Sequence, residues 1–144
     1  MQEMSEDEIH GLLHRSLIGR LCMADQTGRP YAIPLPFCYI DGALYLRLPP
    51  TGRKSAILAH NPNVCFEIDE FTPTLDNYYS VLLEGQLIAV TDLAEKATVK
   101  QANTAKYQRL RNGHRPGHGR STPLEELPLQ KIRIETLSGR KKEK

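Results

Sequence analysis

The segment Tyr31-Ala32-Ile33-Pro34-Leu35-Pro36-Phe37-Cys38-Tyr39-Ile40-Asp41-Gly42-Ala43-Leu44-Tyr45-Leu46-Arg47-Leu48 decides the fold. Asp41-Gly42 is a two-residue turn signal between runs of aliphatic and aromatic residues. The segment therefore reads as a hairpin, with one strand from Tyr31 to Ile40 and the next from Ala43 to Leu48. Proline cannot donate to a ladder, and residues two apart aim their backbone groups to the same side of a strand. Pro34 and Pro36, with Pro30 just before, thus remove donors from one edge, which cannot be fully paired. Two readings of that edge stand: an ordinary protected sheet margin, or a gap in a barrel wall where a flat ligand meets the backbone.

Working outward, Ser16 to Ala24 reads as a strand ended by the turn Asp25-Gln26-Thr27-Gly28. Further strands are expected over Asn63–Asp69, Tyr78–Thr91 and Leu129–Leu137. Gly85 interrupts the long one, where a bulge or bend is expected. Ser5-Glu6-Asp7-Glu8 is a capping box that opens a helix reaching about His14, with Ile9, Leu12 and Leu13 as its apolar stripe. A short helix is expected from Gly52 to about His60, stopped by Asn61-Pro62. Asp92-Leu93-Ala94-Glu95 opens a third, ending near Leu110. The stretch 111–123 is rich in Gly, Pro and His and reads as a flexible loop, and 138–144 reads as a basic tail. The expected architecture is mainly β: a six-stranded antiparallel barrel with short flanking helices, in one domain over 1–144.

Composition narrows the function classes. The chain has 144 residues, 40% hydrophobic and 25% charged, with a formal net charge of +2. That charge is too small to argue for nucleic acid, and its excess sits in the loop Arg111–Arg120 and in the tail. Cys22, Cys38 and Cys65 are odd in number, widely spaced and set in apolar runs. They read as reduced thiols in a cytoplasmic protein, with Cys22 and Cys65 in the core, and not as a disulfide frame or zinc site. No apolar run approaches membrane-spanning length, and the acidic N-terminus lacks a signal-peptide pattern.

The stretch Thr51-Gly52-Arg53-Lys54-Ser55 places a glycine, two cations and two hydroxyls at a helix start. Such a start presents unpaired N–H groups and a partial positive charge, which suits a phosphate. Arg53 offers a planar fork and Lys54 a point charge. A solvated basic helix end is the plain alternative.

Taken in order, Ile18-Gly19-Arg20-Leu21, Gly28-Arg29-Pro30-Tyr31, Pro34-Leu35-Pro36-Phe37, Asp41-Gly42-Ala43-Leu44-Tyr45, Gly52-Arg53-Lys54 and Asn61 to Asp69 resemble the pyridoxamine 5′-phosphate oxidase-like flavoproteins. The likeness is strongest to the branch that includes the nitroimidazole-resistance reductases. Ser80 to Gly85, Asp92 to Lys96, and Ile132-Arg133-Ile134-Glu135 before Ser138-Gly139-Arg140-Lys141 extend the match over nearly the whole chain. The resemblance implies a split β-barrel that forms a homodimer and binds FMN at the subunit interface. It implies that Arg53 and Lys54 hold the FMN phosphate, with Thr51 or Ser55 adding a hydroxyl bond. It also implies that Ile33, Pro34 and Leu35 lie along the flavin ring, and that Leu46 and Arg47 line the site. Members of that branch often carry a histidine near the end of the third strand, where this chain has Arg47-Leu48-Pro49-Pro50. Arginine stays cationic and shuttles no proton at neutral pH. Arg47 either pairs with an anionic group or is a surface cation.

The resemblance thus points to an FMN-dependent oxidoreductase acting on a small molecule, with no catalytic residue assigned. The alternative is a non-catalytic protein that stores or senses flavin, haem or a deazaflavin on the same barrel. A basic interaction module without cofactor is a third reading. His10 and His14 stand four apart on a helix, but no third ligand is evident and no metal site is expected. His114 and His118 share the loop with Arg111, Arg115 and Arg120, where disorder outweighs a role over the flavin or on nucleic acid. No nucleophile elbow, P-loop or Rossmann fingerprint appears.

Overall fold

A computed structural model describes residues 1–112 and 122–144, so most of the expected loop 111–123, with His114 and His118, lies outside the described residues. The strands are β1 (Gln2–Glu3), β2 (Ile18–Ala24), β3 (Pro30–Pro36), β4 (Cys38–Ile40), β5 (Ala43–Arg47), β6 (Asn63–Phe71), β7 (Tyr78–Ala89) and β8 (Leu129–Lys142). The helices are α1 (Glu6–Arg15), α2 (Gly52–His60) and α3 (Leu93–Leu110), followed by a 3-10 turn over Leu124–Glu126. All pairings are antiparallel, in the order β3-β2-β6-β7-β8-β5-β4, with β1 added beside β8.

The hairpin forms as expected, with Asp41 (φ 50°) and Gly42 (φ 76°) both left-handed between β4 and β5. Its first arm does not run unbroken from Tyr31 to Ile40: it divides at Phe37 into β3 and β4. This division and the two-residue β1 make eight strands where six were expected. β3 and β4 are consecutive in the chain yet lie at opposite ends of the strand order. The sheet must therefore curl until its two ends meet at Phe37, and no ladder bridges β3 to β4 or β5 there. The result is an antiparallel barrel left open along one seam.

The last strand runs five residues past Leu137, so Ser138–Lys142 are ladder and not tail. The charges there masked the alternation. Gly139 is buried under Met4 and Ile9, while Lys141 is held by Glu8 of α1 at 2.6 Å. The bulge expected at Gly85 is present. Glu84 faces Thr136 and Gly85 faces Ile134, skipping Glu135. A side chain at Gly85 would strike the Arg133 carbonyl, its Cβ falling only 2.0 Å from that oxygen.

The capping box at Ser5 and Glu8 forms in full. It aims Ile9, Leu12 and Leu13 into a core shared with Leu21, Phe66, Ile68, Val81, Leu83 and Ile132. Burial of these large aliphatic and aromatic side chains, at roughly 1.5–3 kcal/mol each, drives the closure. The third helix begins at its expected cap, Asp92, which accepts from the Glu95 N–H at 2.9 Å. It docks by an unexpected face: its buried residues are Lys96, Val99 and Lys106.

Those lysines bond to carbonyls. The Lys96 ammonium donates to Leu124 O at 3.0 Å, at the 3-10 turn. The Lys106 ammonium donates to Phe37 O at 2.9 Å and Leu13 O at 3.3 Å, and lies 3.7 Å from the centroid of the Phe37 ring. Burial pushes its pKa down to about 8. Beside it, the Tyr107 hydroxyl accepts from the Phe37 N–H at 2.9 Å and directs its own proton to Leu17 O at 2.7 Å or Phe37 O at 2.9 Å. Phe37 is 1% exposed and sits where no ladder can serve it. Helix α3 thus supplies the hydrogen bonds that the seam takes away.

Tyr107→Phe leaves the Phe37 N–H unpaired with almost no change of shape. We expect a loss of ~1–3 kcal/mol in unfolding free energy. Urea titration at constant slope measures it, and an unchanged midpoint would refute this role.

Candidate functional site

The seam brings the expected site residues to one region. Among the described residues strand β3 pairs with β2 alone, so its other edge has no strand partner there. Ile33 and Leu35 turn inward against the core, and Pro34 is exposed on the outer face. Across the opening, the end of β5 approaches β3 without a ladder. Leu46 there is only 1% exposed and pairs with Gln130 of β8, so its side chain belongs to the core and its backbone to the ladder. Arg47 is exposed and donates to the Thr122 hydroxyl at 2.9 Å.

Helix α2 starts at Gly52, whose φ of 81° is a left-handed value that favours glycine. Thr51 precedes it with a hydroxyl that caps no helix N–H, and the first turn carries no acidic residue. The N-terminal charge of the helix is therefore not offset by a carboxylate on its own first turn. Arg53 is exposed, and its guanidinium lies 4.3 Å from the centroid of the Tyr31 ring in β3. Lys54 folds back, its ammonium donating to Thr51 O at 2.9 Å. Ser55 is half-buried one residue further on. Ile57 anchors the helix in the core, and the Asn61 amide donates to Ala24 O at 3.0 Å, fixing the helix against β2. Cation pair and unpaired strand therefore touch through Arg53 and Tyr31. Tyr31 was not singled out as a site residue; its place two positions before Ile33, on the same face of the strand, was the available signal.

The outer face of the sheet differs from expectation. Cys22 and Cys65 are not core residues: both are half-exposed and directly opposed across β2 and β6. Each stands at an outward position of its strand's alternation, between buried Leu21 and Met23 and between buried Val64 and Phe66. Further along that face, Arg20 lies 3.5 Å from Asp69 and 3.9 Å from Glu67. Partial burial, followed by the neighbouring Asp69, pushes Glu67 up to about 7, against the pull of Arg20. His10 and His14 pack around the Tyr39 ring at 5.5 and 6.0 Å. Among the described residues no cluster of three or more metal-ligating side chains occurs.

Hollows elsewhere line α3. One of about 500 Å³ is bounded by Ala97, Gln101, Thr104, Ala105 and Leu124 among others. A smaller one adjoins Tyr45 and Glu95, whose hydroxyl and carboxylate bond at 2.6 Å. Neither includes Arg53 or Lys54. Helix, edge strand and cation pair are better evidence for a site than these shallow concavities, because they supply directed donors. No helix among the described residues is long and apolar enough to cross a membrane.

A family model described as pyridoxamine 5′-phosphate oxidase matches residues 5–141. No match was found among curated proteins. Solved structures share the fold along almost the full chain. A protein of Bacteroides thetaiotaomicron VPI-5482, described as a candidate 5-nitroimidazole antibiotic resistance protein, is 21% identical with a TM-score of 0.76, covering 97% of this chain and 86% of its own. An FAD-binding protein from Mesorhizobium loti is 26% identical with a TM-score of 0.69, covering 97% of this chain and 96% of its own. The FAD-binding protein from Mycobacterium smegmatis is 20% identical with a TM-score of 0.72, covering 98% of both chains.

The carboxylate pair gives a direct check on the electrostatics of the outer face. In a carbon-detected NMR titration, Glu67 should change charge near pH 7. In Asp69→Asn its midpoint should fall toward the ordinary carboxylate range, since the neighbouring negative charge is gone. A Glu67 midpoint that is ordinary in both proteins would contradict this account.

Proposed function

Because the chain belongs to the pyridoxamine 5′-phosphate oxidase family, we propose that it is an FMN-binding oxidoreductase acting on a small molecule. In this reading it works in the cytoplasm as a homodimer, with the cofactor at the subunit interface. The observation that carries it is the Arg53 guanidinium resting 4.3 Å from the Tyr31 ring. That contact sets a cationic helix start against a strand whose outer edge is free, as a cofactor with an anionic tail and a flat ring requires.

The residues present suit FMN. Arg53 would bind phosphate oxygens with its fork, Lys54 would add charge on leaving the Thr51 carbonyl, and the hydroxyls of Thr51 and Ser55 would supplement them. Helix α2 adds N–H groups and a positive end that no first-turn carboxylate offsets. Along β3, Ile33, Pro34 and Leu35 would lie beside the ring, with Pro34 offering its carbonyl on the free edge while Ile33 and Leu35 bond to β2. Leu46 would back the site from the core and Arg47 would contribute through its charge. Arg47 would hold an anionic group and not move a proton. The FMN, when bound, supplies the hydride and electron transfer; the chain's residues bind it, orient it and select the substrate. The three free thiols accord with a reducing compartment.

Replacing Arg53 and Lys54 together with alanine removes two charge-assisted contacts of ~1.5–3 kcal/mol each, so FMN affinity should fall about 100-fold or more. The thermal midpoint of the protein without FMN should stay near that of the parent. Flavin fluorescence titration reads the first and calorimetry the second; unchanged flavin occupancy refutes the assignment. Turnover has its own check. NADH or NADPH should bleach the bound flavin under nitrogen, and an added nitroaromatic or quinone acceptor should restore its colour. A flavin that stays oxidised with both donors, or that once reduced is not reoxidised by an acceptor, would favour storage or sensing.

A further inference from the structure

The outer face of the sheet carries two thiols in register. Cys22 and Cys65 are Cα partners in the β2–β6 ladder, both half-exposed and both unbridged. Directly opposed residues of an antiparallel pair stand roughly 4.5–5.5 Å apart at Cα. A disulfide spans about 4.4–6.8 Å at Cα, so the register places the pair within bridging range. Their surroundings are asymmetric. Across β7, Cys65 faces Glu84, and across β3, Cys22 faces Ala32. Burial first, then the adjacent Cys22, pushes the Cys65 thiol up to about 11, with Glu84 and Glu67 adding negative charge. Cys38 is a different case, 3% exposed and packed with Tyr45, Val99 and Leu129.

We propose that Cys22 and Cys65 form a redox-responsive dithiol site that a low-molecular-weight disulfide converts into a cross-strand disulfide. The Cys22 thiolate attacks one sulfur of the small disulfide and expels the other as a thiolate, leaving a mixed disulfide on Cys22. Cys65 loses its proton to solvent and attacks the Cys22 sulfur, expelling the second small thiolate. Two protein thiols are oxidised, and one small disulfide is reduced to two thiols. The order follows from the surroundings: Cys65 faces the Glu84 carboxylate across the ladder, which disfavours its thiolate, so it resolves and does not attack first. Among the described residues strand β2 is the only ladder partner of β3, so the bridge would pin to β6 the strand on which the open margin depends. The inference stands on the thiol pair and is independent of the flavin reading.

The test treats the reduced full-length protein with oxidised glutathione, then alkylates it in denaturant for intact-mass and non-reducing peptide analysis. The expected product has lost two hydrogens, keeps one alkylatable thiol at Cys38, and yields a peptide pair joined through Cys22 and Cys65. Cys65→Ser should instead accumulate a glutathione adduct on Cys22, and Cys38→Ser should form the bridge as the parent does. Three alkylatable thiols after oxidation, a bridge that includes Cys38, or a bridge between two chains would each overturn the proposal.

Discussion

The barrel depends on how one peptide group is satisfied. Between β3 and β4 the chain crosses from one end of the sheet to the other in a single residue, Phe37. A residue in a ladder would have its N–H and C=O paired with a neighbouring strand; Phe37, buried at the seam, has none. Tyr107 and Lys106 take that place from α3, seventy and sixty-nine positions away in the chain. The ammonium also faces the Phe37 ring, so one buried cation binds both the backbone and the side chain of the same residue. This explains why α3, whose sequence has little apolar periodicity, stays attached: its anchoring face is built from donors that reach carbonyls.

The same seam explains where a ligand site can arise. A closed barrel has no free backbone, whereas a barrel opened at Phe37 leaves the edge of β3 unpaired. The prolines keep another strand from adding there, since Pro34 and Pro36 offer no N–H. Helix α2 is anchored in the core by Ile57 and to β2 by Asn61, and its Arg53 meets β3 at Tyr31. Fold and candidate site therefore share a cause: incomplete pairing is tolerated at Phe37 because α3 satisfies the buried peptide, and the remaining edge is exposed for recognition.

The outer surface of the sheet follows a different logic. Its side chains alternate out of the core, so thiols, carboxylates and Arg20 collect on one face by register alone. Glu67 and Asp69 are two apart on β6 and so share that face, which adds to partial burial in making the Glu67 carboxyl resist ionisation.

Much was legible in order along the chain. The hairpin at Asp41-Gly42, the capping box at Ser5, the N-cap at Asp92, the bulge at Gly85 and the helix start at Gly52 are local features. Each is set by turn stereochemistry, capping hydrogen bonds or steric contact within a few residues, and each can be read without knowing the rest. The division of one apparent strand at Phe37, the strand character of Ser138–Lys142, the outward placement of Cys22 and Cys65, and the burial of Lys106 could not be read that way. They depend on which distant segment lies opposite. A lysine is buried because carbonyls of Leu13 and Phe37 converge on it, and a cysteine faces another because β2 and β6 adopt one register. Local sequence determines the elements; only the closure of the sheet decides which unpaired groups meet.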